Sequence, residues 1–326
     1  MTRHSMVPST TMPTDASASR AIALATLCSL FVVCASDAAQ AQAAARPTSL
    51  SRLEESIRRL TRSVDATWGI YVKCLETNET IAIDADRQMD TMSVIKIPLM
   101  VEVFEKIKAG RLSLGDKYTL AKEDVRPGTG VLKSLDAGDV VTVKDLVTLM
   151  IVVSDNTATD VLYRLVGGPS AVNARMSALG LATTRAPANA KVWFEALAAE
   201  PDRERFHRDG RHPFGLSTPR DIGRLLELME RGTLVDSASS ELMLQIMRGQ
   251  LYRTRIPRHL SGWRVPHKTG DFLPFIGNDV GVLEGDGVTV VLSIFTGNHF
   301  GSGETLEETI GRVAEQVGAY FAYRQP

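Results

Sequence analysis

A serine and a lysine three residues apart give the first indication of chemistry in this sequence. Ser93 and Lys96 lie in DTMSVIKIPLMVEVFEKIKAG, residues 90–110, where apolar residues such as Met100 and Val103 recur with helical spacing. Ser93 is therefore expected at a buried helix start, whose unpaired N–H groups and positive dipole end stabilise an oxyanion. Lys96 points to the same side, and burial or a nearby positive charge would lower its pKa until it accepts a proton. The pair predicts acyl transfer by a serine nucleophile with a lysine base.

Two further triplets support this interpretation, because S-x-x-K alone is expected about once by chance in a chain of this length. S-D-N at 154–156 follows an apolar helix, and K-T-G at 268–270 ends a predicted strand. Each triplet occurs once. Three such elements in this order, each in its expected local setting, point to one site.

This order of motifs resembles the serine β-lactamase and penicillin-binding-protein superfamily, and class A within it. Residues 127–181 are similar to class A throughout, including the T-x-x-D-L helix start before S-D-N. The segment STPRDIGRLLELM resembles the helix that follows the active-site loop of the family. The resemblance covers most of residues 50–326 and implies a β-lactamase/transpeptidase-like fold.

The resemblance also implies roles for the motif residues. Ser93 would be the acylated nucleophile, Lys96 the base of acylation, directly or through water, and Ser154 the relay of a proton to the leaving nitrogen. Asn156 would hold the side-chain amide of the substrate.

The K-T-G motif would form the substrate-binding edge of the same site. Lys268 and Thr269 would bind the substrate carboxylate, with Lys268 also depressing the pKa of Lys96. Gly270 and Asp271 complete this stretch, and the backbone N–H groups of Asp271 and the nucleophile would form the oxyanion hole.

One family feature is missing from the loop before the next helix. Class A enzymes activate the deacylating water with a glutamate in E-x-x-L-N, a motif that residues 182–219 lack. Glu195, beside Trp193 and Phe194, has the most apolar surroundings, which would raise its pKa, although an exposed glutamate on a short helix is the alternative. The other acids of this loop are Glu200, Asp202, Glu204 and Asp209.

Two arginines before K-T-G are candidates for holding the substrate carboxylate. Arg255 and Arg258 lie in YRTRIPRHLSGWRVPHKTG, and either could instead be a solvated turn residue.

Hydrophobic periodicity predicts an α/β (α+β) chain with an antiparallel sheet flanked by N- and C-terminal helices and an inserted all-helical domain. Residues 50–90 and 240–326 are expected to form the sheet domain and 91–239 the helical domain. The active site would lie between them, because the two serines come from helices and Lys268 from the sheet.

The N-terminus is typical of a secretory signal peptide, residues 1–43. Arg20 is followed by a 15-residue apolar run, AIALATLCSLFVVCA, and then by A-Q-A sequences suited to cleavage. A membrane anchor is the alternative, but the run is shorter than the roughly 20 residues of a membrane span. A lipoprotein with Cys34 lipidated is a second alternative. We expect a periplasmic or secreted protein with no stable membrane span after cleavage.

Composition narrows the remaining possibilities. The 326 residues carry a formal net charge of -1, and no basic run is interleaved with aromatics, so a nucleic-acid partner is not expected. Cleavage would leave Cys74 as the one cysteine, most simply a small core residue. The six histidines show no metal-ligand spacing, so neither metal nor cofactor is expected. We expect a monomer.

Three functions are consistent with these observations. The first is an exported serine hydrolase that opens the β-lactam ring, with slow turnover if no base replaces the missing glutamate. The second is a penicillin-binding D,D-peptidase or an esterase, acting on a D-Ala-D-Ala-like peptide or another ester. The third is a protein that β-lactams acylate with little turnover.

Overall fold

The computed structural model describes residues 49–322, so the predicted signal peptide lies outside the described residues. The chain beyond Arg52 forms one compact unit. The helices of the described range are α1 Ser49–Arg62, α2 Lys96–Lys108, α3 Val143–Val152, α4 Asn156–Val166, α5 Pro169–Ala178, α6 Ala190–Ala199, α7 Arg203–Asp209, α8 Pro219–Glu230, α9 Ser237–Arg248 and α10 Gly303–Ala322. The strands are β1 Thr67–Cys74, β2 Thr80–Ile83, β3 Met89–Asp90, β4 Lys117–Thr119, β5 Val140–Thr142, β6 Leu216–Ser217, β7 His267–Phe272, β8 Ile276–Glu284 and β9 Thr289–Gly297.

The main sheet has five antiparallel strands in the order β2-β1-β9-β8-β7. The N-terminal hairpin joins the C-terminal strands through β1 and β9, with Thr67 opposite Gly297 and Cys74 opposite Val290. Every residue of β8 is buried, as expected for a strand with neighbours on both sides and both faces covered. The predicted fold, an antiparallel sheet combined with many helices, is confirmed, and it leaves β7 at an edge.

Helices cover the sheet because each presents an apolar face to it. α8 and α9 belong to the large core, where Leu225 and Met229 join Val282 and Phe295 of the sheet. α10 contacts β8 and β9 and buries Leu306, Ile310, Val313 and Val317. Residues of the predicted helical domain and of the sheet thus share one core, and the division at 90 and 240 stays a prediction.

The nucleophile segment begins with one 3-10 turn, Met92–Ile95, which runs directly into α2. Met92 has a φ of 46°, a left-handed conformation that a non-glycine residue rarely adopts. The carboxylate of Asp90 supports the turn, since it accepts hydrogen bonds from the N–H groups of Met92 (2.8 Å), Phe214 (3.2 Å) and Gly215 (3.3 Å). Burial raises the pKa of Asp90 to about 6, against the effect of these donors.

The S-D-N segment lies between two capped helices. Thr142 and Asp145 form a capping box at the start of α3. Asp155 caps α4 by accepting a hydrogen bond from Ala158 N–H at 2.9 Å. Ser154 connects the helices with a φ of 55°. The N–H groups of Asp155 and Asn156 donate to Leu149 O and Thr129 O, each at 3.1 Å, so the backbone after Ser154 is fixed while Ser154 keeps its left-handed conformation.

Candidate active site

Two lysine amino groups meet at the hydroxyl of Ser154. Lys96 Nζ lies 3.0 Å from Ser154 Oγ, and Lys268 Nζ lies 3.1 Å from the same oxygen. Lys96 comes from α2 and Lys268 from β7, while Ser154 follows α3. All three residues are buried. The structure therefore brings together the three residues predicted to exchange protons during acylation.

Lys96 is also held by two groups of the S-D-N segment. Its Nζ donates to Ser154 O at 2.7 Å and to Asn156 Oδ1 at 2.9 Å. Burial lowers the pKa of Lys96 well below its ordinary value, and the charge of Lys268 lowers it further. A lysine of lowered pKa is more readily neutral, and only a neutral amine can accept the proton of a serine hydroxyl.

Lys268 has the second amine of the site whose pKa is shifted. Burial lowers its pKa to about 8, Asp271 and Asp279 oppose this shift, and Arg255 adds to it. Its Nζ also donates to Thr269 O at 2.8 Å. With a pKa near 8, Lys268 is mainly protonated at neutral pH and can hold an anion.

The edge strand β7 runs against the nucleophile turn. A Cβ on Gly270 would lie 2.4 Å from Thr91 O and 3.1 Å from Ser93 N, so only glycine permits this approach. The backbone of residues 270–271 therefore passes beside the nitrogen of the partly exposed Ser93. This placement suits the predicted oxyanion hole, whose second donor would be the N–H of Asp271.

A sequence model described as "Beta-lactamase enzyme family" matches residues 52–321. The chain belongs to this family. VEB-1, a β-lactamase of Pseudomonas aeruginosa, is 23% identical over 281 residues, which are 81% of this chain and 89% of VEB-1. The chain is thus a serine hydrolase of the class A β-lactamase type.

Solved structures of β-lactamases are similar over almost their whole length. A β-lactamase from Sphaerobacter thermophilus DSM 20745 is 29% identical with a TM-score of 0.74, over 86% of this chain and 100% of that one. An ancestral class A β-lactamase is 25% identical with a TM-score of 0.72, over 81% and 98%. A point mutant of PBP-A, solved as an acyl-enzyme complex with penicillin G, is 25% identical with a TM-score of 0.73, over 84% and 98%.

The acids of the loop before α8 lie at the surface of this β-lactamase. Glu195 has 63% of its side chain exposed and lies 3.8 Å from Lys191, so the apolar surroundings expected for it are not found. The helix turns Trp193 inward and Glu195 outward. Glu200, Glu204 and Asp209 pair with the surface arginines Arg205, Arg208 and Arg211, and Asp202 caps α7.

Two buried carboxylates close to Lys96 were missed by the motif analysis as part of the site. Asp155 accepts from the N–H groups of Val131 (2.7 Å) and Leu132 (2.9 Å), in addition to its helix cap. Both carboxylate oxygens of Asp160, one turn after Asn156, also accept hydrogen bonds. The sequence could have indicated Asp160, because it follows Asn156 by four residues and so lies on the same face of the helix.

Asp160 connects the S-D-N helix to the loop. It accepts from Arg126 Nε at 2.6 Å and from the N–H groups of Ala190 (2.7 Å) and Lys191 (2.9 Å). Asn189, the N-cap of α6, directly precedes the two N–H groups that Asp160 holds. An asparagine amide has no basic oxygen or nitrogen that could activate water at neutral pH.

Both candidate arginines are occupied by carboxylates. Arg255 is buried and contacts Asp271 and Glu307, whereas Arg258 pairs with Glu308 at 2.8 Å.

Within residues 49–322, no cluster of His, Cys, Asp and Glu has the arrangement of a metal site. None of the helices in this range combines the length and apolarity needed to cross a bilayer.

Proposed function

We propose that this β-lactamase family member is exported, is acylated at Ser93 by β-lactams and hydrolyses the resulting ester slowly. The observation that carries the proposal is the hydroxyl of Ser154 between two buried lysines, beside a loop whose acids all lie at the surface. The Ser154 hydroxyl and the two lysines supply the proton transfers of acylation. The surface position of the loop acids leaves deacylation without an evident base.

Acylation follows from the positions of these groups. Ser93 Oγ attacks the β-lactam carbonyl and gives its proton to neutral Lys96, directly or through one water. The C–N bond breaks, and the ring nitrogen receives a proton from Ser154 Oγ, which the neighbouring lysines resupply. The ester between Ser93 and the acyl group is the product of this step. The N–H groups of Ser93 and Asp271 stabilise the oxyanion.

Slow deacylation follows from the carboxylates around Lys96. A positioned general base contributes typically 10²- to 10⁴-fold to such a step. The oxygens of Asp155 and Asp160 are already used by backbone N–H groups and an arginine. The acyl-enzyme that the PBP-A mutant forms with penicillin G supports the persistence of such esters on this fold.

The time course with a chromogenic cephalosporin tests the proposal. We expect a burst of about one equivalent, then a slow steady state, with an adduct on the minute scale in intact mass spectra. Ser93→Ala should give neither burst nor adduct, whereas the exposed Ser170→Ala should behave as wild type. A full adduct on Ser93→Ala, or linear hydrolysis without a burst, would refute the proposal.

The same lack of a base favours a second candidate, a D,D-peptidase or an esterase. Turnover of a D-Ala-D-Ala peptide or a simple ester faster than that of the cephalosporin would select it.

Export has its own test. The apolar run 21–35 and the A-Q-A sequences support cleavage near Ala43. Expression in a bacterial host with a periplasm should give a periplasmic protein whose intact mass lacks the leader. A membrane-bound protein of full mass would support the anchor, and a lipid-modified Cys34 the lipoprotein.

A further inference from the structure

The edge of the site beside Thr269 carries a carboxylate. Thr269 and Asp271 are two residues apart on β7, so they lie on the same side of the strand, about 7 Å apart. Thr269 Oγ1 is buried and has no hydrogen-bond partner among the described residues. Asp271 has 36% of its side chain exposed. A ligand at this edge therefore meets the partly exposed carboxylate of Asp271, while the Thr269 hydroxyl lies beneath the surface.

The guanidinium nearest this edge is not available to a ligand. Arg255 is 2% exposed, donates from Nη1 to Asn278 O at 2.7 Å and from Nη2 to Glu307 Oε1 at 3.0 Å, and also pairs with Asp271. Breaking these contacts to bind a substrate carboxylate would leave Asp271 and the mostly buried Glu307 without their cation. Lys268 thus remains the one available cation of the predicted anion-binding edge within the described residues.

The charges around the edge are mixed. Lys268 and Arg255 face the carboxylates of Asp271, Glu307 and Asp279, the last of which is hydrogen-bonded to His267 at 2.9 Å. The charge of Asp271 raises the pKa of Lys96 and of Lys268, so it acts on both lysines of the site. A carboxylate bound at Thr269 would be repelled by Asp271.

We propose that Asp271 is a specificity-determining residue that makes the site prefer acyl donors with a neutral hydrogen-bond donor, such as a primary carboxamide, over those with a free carboxylate. The inference rests on the proposed acylation of Ser93. The carboxamide N–H donates to the partly exposed carboxylate of Asp271.

A matched pair of ligands tests this preference. We compare the second-order rate constants of acylation, from intact mass, for one cephalosporin with its ring carboxylate and for the same compound as its primary carboxamide. Wild type should be acylated by the carboxamide at least as fast as by the carboxylate. Asp271→Asn should raise the rate with the carboxylate about tenfold and lower the rate with the carboxamide, because it removes the charge and the best acceptor.

Glu307→Gln is the matched control, since it removes one negative charge from the same arginine on the side away from Thr269. It should change the ratio of the two rates less than twofold. A ratio in Asp271→Asn within twofold of wild type, or an equal change in Glu307→Gln, would overturn the proposal. If wild type forms no adduct with either compound, the acylation itself is refuted.

A salt titration tests the proposal in wild type, without a variant that could misfold. Added salt screens the repulsion between Asp271 and a substrate carboxylate at this partly exposed edge. The acylation rate with the carboxylate should rise with ionic strength, and the rate with the carboxamide should not. A fall with the carboxylate would show net attraction and contradict the inference.

Discussion

At the scale of single residues, the site depends on which amines carry a proton. Burial lowers the pKa of both lysines, as expected for Lys96 from its position at a buried helix start; the charge of Lys268 lowers that of Lys96 further, and the charge of Arg255 that of Lys268. The two lysines need different charges for acylation, since Lys96 acts as a neutral base and Lys268 as a cation.

The pH dependence of acylation is therefore predictable. Lys268 loses its proton as the pH rises through about 8, so acylation should fall above that pH, by up to tenfold per unit. Lys268→Arg keeps its charge and should remove this alkaline limb, even if its overall rate is lower. Acylation rates from pH 6 to pH 10 for both proteins decide the matter. A flat profile in wild type would rule out this role for Lys268.

Ser154 combines a chemical role with backbone strain, and two substitutions separate them. Ser154→Ala and Ser154→Gly both remove the hydroxyl and should slow acylation by about 10²- to 10⁴-fold. Only glycine adopts the observed φ of 55° without cost, so Ser154→Gly should be more stable than Ser154→Ala by about 1 kcal/mol. Acylation rates and urea unfolding measure the two effects. Equal stabilities would show that the strain is absent.

Where a local motif carried the signal, the structure brings predicted site residues together, and their roles remain predictions. The spacing of Ser93 and Lys96 and the K-T-G triplet are local, and the structure places the two lysines of these motifs around one hydroxyl, although K-T-G lies near the start of β7 and not at a strand end. The occupation of Arg255 by Asp271 and Glu307 joins residues from three separate segments. No local pattern encodes such pairing.

At the scale of elements, the loop helix α6 decides which side chains approach the site. Its N-terminus is fixed by Asp160, and Trp193 anchors it through edge-to-face contacts with Phe194, Phe206, Phe214 and Phe272. With Trp193 fixed inward, Glu195 must point outward. The sequence could not reveal this orientation, because the two residues lie close together in one aromatic stretch.

A carboxylate introduced at the N-cap of α6 should speed deacylation. Asn189 precedes the two N–H groups that Asp160 holds, so Asn189→Glu places a carboxylate at the start of α6, where the loop meets the S-D-N helix. We expect a faster steady state after the burst. Asn189→Gln, of the same size but without charge, and Glu195→Gln should not change the steady state. Deacylation slowed by Glu195→Gln would instead identify Glu195 as the base.

At the scale of the whole molecule, distant segments of the chain depend on one another. β1 pairs with β9 along its full length, and β7 contacts the nucleophile turn. The large core takes side chains from α2, from α8 and from the sheet. A sheet assembled from both ends of the chain was predictable from the similar strand patterns there, whereas the register of β1 on β9 was not, because it is set by packing.

The shared core predicts that the described part of the chain unfolds in one cooperative transition. The three tryptophans report different regions, with Trp68 on β1, Trp263 before β7 and Trp193 in the loop helix. Urea unfolding should therefore give coincident midpoints by far-UV circular dichroism and by fluorescence. Trp193→Phe removes the fluorescence of the loop helix. The unfolding midpoint from the remaining fluorescence of this variant should still equal its midpoint from circular dichroism. An early fluorescence transition in wild type that Trp193→Phe lacks would show the loop unfolding alone. If the helical dichroism is lost at a different urea concentration from the fluorescence change of Trp68 and Trp263, the predicted helical domain, residues 91–239, unfolds independently of the sheet.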